Sequence, residues 1–126
     1  MTQVSILQQA EPVRVDGARL EALCRTMGPV AADALLTRAV EELAVALTHA
    51  DDLYGRGEAA LLHRTMAEVA GMAEQVGLTA MARIAGHVQE CIASGDETAL
   101  VATLARLIRV GERSLTAVWD AQGQGA

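Results

Sequence analysis

The sequence has no phenylalanine and no lysine, a single tryptophan (Trp119), a single tyrosine (Tyr54) and two prolines, Pro12 and Pro29. With so few aromatics, the core must be filled by Leu, Val, Ile, Met and Ala. That palette suits close helix–helix packing and suits a sheet poorly. Both prolines fall in the first quarter of the chain, so no residue after Pro29 forbids a helix. Residues 1–16 carry no basic run followed by an apolar one. No stretch approaches the ~20 apolar residues of a membrane span. The two cysteines, Cys24 and Cys91, form no spaced motif, which predicts free thiols in a reducing compartment and a cytoplasmic protein. His49, His63 and His87 are too scattered for a metal site, and Asp51-Asp52 reads as a solvated acidic pair at a helix end rather than a cation site. With no ligand cluster and no phosphate loop, neither metal nor organic cofactor is expected. The net charge is -6, with every basic residue an arginine. Such a surface repels phosphate backbones and anionic bilayers, so neither nucleic acid nor membrane is expected as a partner.

What is present is a chain of 126 residues, 52% apolar, enough for one core and one domain. Residues 1–15 lack a strong period and read as a flexible lead-in or a short helix resting on the rest. Asp16 can cap a short helix carrying Leu20 and Leu23, and Gly28-Pro29 closes it and opens the next. Apolar residues then recur every three or four positions. Leu36, Val40, Leu43, Leu47, Ala50 and Tyr54 mark a helix over about 30–54, and Leu62, Val69 and Val76 one over about 58–76. Met81, Ile84, Val88 and Ile92 mark a helix over about 79–93, and Leu100, Leu104, Leu107, Ile108, Leu115 and Val118 one over about 97–119. Gly55 to Gly57, Gly77 and Ser94-Gly95-Asp96 are the stops, while Gly111 marks a bend or a close helix contact. Leu62, Val69, Leu104 and Ile108 are expected in the core. The fold class predicted is all-α: an antiparallel up-down-up-down four-helix bundle with an additional short N-terminal helix, over residues 16–120, then a disordered tail over 121–126.

On the helix over 58–76, the core stripe leaves a second face made of small residues. Ala60, His63, Ala67, Ala70, Gly71 and Glu74 project from it together. A face of small side chains is either a packing seam within the fold or a docking surface for a partner.

The run from Gly57 to Gly77 resembles the histidine phosphotransfer (Hpt) domains of bacterial phosphorelays. Their pattern is an acidic residue opening a helix, a leucine in the next turn, His-x-x-Lys-Gly, and a later glycine. Glu58, Leu62, Gly71 and Gly77 fall on the acidic, leucine and two glycine positions. Met81 to Leu107, with its Ser94-Gly95-Asp96 break, is similar to the family's last helical hairpin, and Gly28 before Leu35 and Leu36 matches upstream. The resemblance spans residues 16–119. It implies a four-helix bundle that binds a response-regulator receiver domain or a histidine kinase through the face around Ala67.

In this register the phosphate-accepting histidine falls on Ala67 and the lysine on Ala70. Alanine has no lone pair to attack a phosphoryl group, and loss of the lysine removes a cation from beside it. The family's chemistry therefore does not carry over, and the expectation is a non-catalytic binding protein with no catalytic residue. Two alternatives stand beside it. His63, one turn before Ala67, is the phosphoacceptor of an active phosphotransferase, or the chain is a self-associating helical adaptor unrelated to phosphorelays.

Overall fold

The computed structural model describes residues 15–125, with side chains described through Gln122. Of the lead-in expected over 1–15, all but Val15 lies outside the described residues. Five helices follow in order: α1 (Gly17–Met27), α2 (Pro29–Gly55), α3 (Ala59–Gln75), α4 (Thr79–Ser94) and α5 (Glu97–Gly125). The described residues form no strand, only an isolated bridge between Val15 and Leu78.

The helix ends follow from local chemistry. Asp16 Oδ1 accepts from the Arg19 N–H at 3.1 Å and caps α1. Gly28 takes φ +86, and Pro29 supplies the first residue of α2, where its missing N–H costs nothing. After α3 the Leu78 N–H donates to the Ala73 carbonyl at 2.8 Å and the Gly77 N–H to Glu74 at 3.2 Å. The turn after α4 repeats this closure, with Asp96 donating to Cys91 and Gly95 to Ile92, each at 3.2 Å. Both closures need a left-handed residue, and Gly77 and Gly95 provide it at φ +79 and +72. Asp96 Oδ1 then accepts from the Ala99 N–H at 3.0 Å and starts α5.

Each helix packs on the next in sequence, and α2 also packs on α5. One apolar core results, built around Leu43, Leu62, Met66, Val69, Met81 and Leu107. Leu62, Val69 and Leu104 are buried as their spacing requires. Ile108 is only half-buried. It sits ~100° around the helix from fully buried Leu107, which turns it toward a surface groove between α2 and α5. Gly111 is a close contact rather than a bend: a Cβ there would stand 2.7 Å from Leu47 Cδ1.

Two further differences bear on the surface. The stripe of α5 fades at Trp119, yet the helix continues to Gly125 instead of giving way to a tail at 121. Gln122 explains the added turn, since its Nε2 donates to Asp33 Oδ1 and Thr37 Oγ1 of α2, each at 2.9 Å. Helix α1 has no buried residue. It is attached by the Asp16 N–H donating to the Gly77 carbonyl at 2.7 Å and by Arg19 Nε donating to the Gln75 carbonyl at 3.1 Å. Among the described residues, no helix is long and apolar enough to cross a membrane.

Candidate functional site: the Ala67 face of α3

At ~100° per residue, the positions Ala60, His63, Ala67, Ala70, Gly71 and Glu74 centre roughly 140° around α3 from its buried stripe. That angle should leave most of them in solvent. Ala60, Ala67, Gly71 and Glu74 are exposed, whereas His63 and Ala70 are half-buried. Ala70 packs against the core from its margin. The six residues thus form one continuous face with one edge turned in.

The turned-in edge meets α4. Gln89 Nε2 donates to the His63 carbonyl at 3.3 Å and lies 3.5 Å from His63 Nδ1. Sequence reasoning missed Gln89. The signal was the short turn over Val76–Leu78, which sets which residues of α3 and α4 lie side by side.

Gly71 decides how this face is used within the chain. A Cβ built there meets nothing within 4 Å, and the same holds at Gly86 of α4. In an internal packing seam a glycine is needed because another backbone or side chain lies against it, as Leu47 does at Gly111. No described part of the chain lies against Gly71, so this stretch of α3 is an open surface.

The remaining chemistry-bearing residues do not converge. His49 is exposed on α2 and His87 half-buried on α4. Asp52 pairs with Arg56 at 3.2 Å, one turn along the same helix, while Asp51 lines the α2–α5 groove. Cys24 and Cys91 are both free thiols. Among the described residues no group of three or more His, Cys, Asp or Glu is placed to hold a metal. Tyr54 Oη donates to Glu97 Oε1 at 3.3 Å across α2 and α5. Partial burial, and then the charge and hydrogen bond of Glu97, push its phenol above the ordinary 10.0. No family model, curated protein or solved structure matches this chain.

Proposed function

We propose that this chain is an Hpt-like signalling protein that keeps a docking face and has lost the phosphoryl chemistry. It binds a response-regulator receiver domain or a histidine kinase through Ala60, His63, Ala67, Ala70, Gly71 and Glu74, and carries no phosphate. The observation behind this reading is the open face of α3, with an alanine at the position the motif register gives to the nucleophile. Small exposed side chains let a partner approach the α3 backbone, and Ala67 has no group able to attack phosphorus.

The fold belonging to this reading is an antiparallel up-down-up-down bundle of α2 to α5, with α1 laid against one end. Supporting it, α2 meets α5 in reverse order: Tyr54 with Glu97, Leu47 beside Gly111, and Asp33 and Thr37 with Gln122. The glycine turns after α3 and α4 are short enough to reverse the chain. Receivers and kinases of this kind act on the cytoplasmic side, so the proposal places the protein there.

The test is Ala67→Arg, measured for stability and for binding to purified receiver and kinase domains on the same preparation. At an exposed helical position arginine should change stability by no more than about 0.5 kcal/mol, while its bulk and charge obstruct docking. Binding by the parent protein and loss of binding in a stably folded variant support the proposal. Absence of binding by the parent, or acid-labile phosphate on His63 after incubation with a phosphorylated receiver, overturns it.

A further inference from the structure

A groove follows the line between α2 and α5. Ala44, Leu47 and Thr48 of α2 face Ile108 and Leu115 of α5 across about 330 Å³, with Asp51 on one wall and Glu112 on the other. Asp51, Ile108 and Glu112 also line its next stretch, which runs toward the start of α5 past Val101, Leu104, Ala105 and Arg109. Beyond Tyr54 it ends among Glu58, Leu62, Glu97 and Leu100. Glu97 and Leu115 stand ~27 Å apart along α5, so the groove is as long as a helix of about five turns. It shares no residue with the Ala67 face.

The wall contributed by α5 is apolar beyond what the core requires. Val101, Ala105, Ile108, Leu115 and Trp119 lie on one line, interrupted by Glu112, ~100° around the helix from the buried line of Leu100, Leu107 and Ser114. Such a line, with steps of three, four or seven, is the seam of a helix that packs on another helix. Val101 is 47% and Trp119 62% exposed, so among the described residues this seam is unfilled. The charged residues that line the groove are four carboxylates, Asp51, Glu58, Glu97 and Glu112, and one guanidinium, Arg109. A complementary occupant brings apolar side chains for the floor and cations for the rim. A second copy of the chain brings the wrong charge. Each copy carries a net -6, and a two-fold axis through the groove would set the Asp51 and Glu112 carboxylates of both copies around one point.

We propose that the α2–α5 groove docks an amphipathic helix of a partner protein, its apolar stripe against Leu47, Ile108 and Leu115 and its flanking lysines or arginines beside Asp51 and Glu112. This inference is independent of the signalling role proposed above.

The probe is a fluorescein-labelled helical peptide of about 18 residues, with leucines every three or four positions and lysines beside them, and the control scrambles the same residues. Fluorescence anisotropy follows binding of each to the full chain. The amphipathic peptide should bind at least tenfold more tightly than the scrambled one, which carries the same charge. Asp51→Lys/Glu112→Lys should weaken its binding about tenfold, the effect of losing two exposed ion pairs. Ala105→Arg, which adds bulk and positive charge in the groove, should weaken it too, while Ala67→Arg should bind as the parent does. All these positions are exposed, so the variants should melt with the parent. Equal binding of the two peptides, or unchanged binding in both groove variants, overturns the proposal. A parent that sediments as a dimer and becomes monomeric on Ala105→Arg also overturns it, because a second copy of the chain would then fill the groove.

Discussion

Gly77 and Gly95 end successive helices with the same hydrogen-bond closure and nearly the same φ, yet replacing each by alanine should cost different amounts. At Gly95, φ is +72 and a Cβ meets nothing within 4 Å, so Gly95→Ala carries only the left-handed backbone strain. That strain is about 1–2 kcal/mol. Alanine also narrows the unfolded ensemble, which returns roughly 0.4–1 kcal/mol, leaving a net loss near 1 kcal/mol. At Gly77, φ is +79 and the same strain applies, but the Cβ would stand 2.9 Å from the Asp16 carbonyl oxygen and 3.4 Å from the Asp16 backbone nitrogen. Backbone atoms cannot rotate aside as a side chain would, so α1 must retreat. Its retreat breaks the 2.7 Å bond from the Asp16 N–H to the Gly77 carbonyl. One such bond contributes about 0.5–1.5 kcal/mol net. Gly77→Ala should therefore lose about 1.5–2.5 kcal/mol in urea denaturation, about 0.5–1.5 kcal/mol beyond Gly95→Ala. Equal losses at the two sites would refute the idea that α1 is held by this contact.

Other expectations follow from the same packing. Leu62 is 1% exposed, and Leu62→Ala should cost about 2–5 kcal/mol; a denaturation shift below about 1 kcal/mol would mean that α3 is seated differently. Gly71→Ala should stabilise by about 0.5–1 kcal/mol, because it improves helix propensity where a Cβ meets open space, and a loss of stability would show the face to be packed. Tyr54 is held above its ordinary 10.0, so the fold binds its proton more tightly than the unfolded chain does. Its contribution is complete below pH 10 and declines as pH rises through the folded value. An absorbance titration should give a raised phenol pKa that Glu97→Gln lowers only in part, since burial is the larger cause; a pKa at or below 10.0 in the parent would contradict this.

Where periodicity carried the information, the helices could be read from the chain. Each of α2 to α5 repeats an apolar residue every three or four positions, and Gly77 and Gly95 mark where α3 and α4 end while Asp96 caps the start of α5, so both signals reinforce each other locally. The errors lie where tertiary contacts decide. The last turn of α5 exists because Gln122 reaches α2, and no local pattern announces that bond. Ile108 shares the spacing of core residues, but a stripe cannot tell a position facing the core from one facing a groove beside it. On the candidate site, the outward set of Ala60, Ala67 and Gly71 follows from angle alone once the stripe of α3 is known. The inward lean of His63 does not, because it depends on how α3 and α4 are aligned along each other, and that alignment places Gln89 beside it.

That neighbour bears directly on whether His63 can act as a phosphoacceptor. A neutral imidazole has one nitrogen carrying the proton and one carrying the lone pair, and only the latter attacks phosphorus. The backbone carbonyl of His63 can only accept, so the Gln89 amide must turn its NH2 toward it; the reverse orientation would press two oxygens together at 3.3 Å. The same NH2 lies 3.5 Å from His63 Nδ1, which therefore accepts, and the proton of the neutral ring goes to Nε2. The lone pair then faces Gln89, and Nε2 has none to offer. Both contacts are long. A bias of about 1 kcal/mol, a net hydrogen bond's worth, favours this tautomer about fivefold. Nitrogen chemical shifts of the His63 ring in the neutral protein should report the proton on Nε2, and Gln89→Ala should even out the two tautomers. If the parent instead carries the proton on Nδ1, the amide orientation argued here is wrong. His63 would then hold an unengaged lone pair at Nε2, the condition that phosphoryl transfer requires.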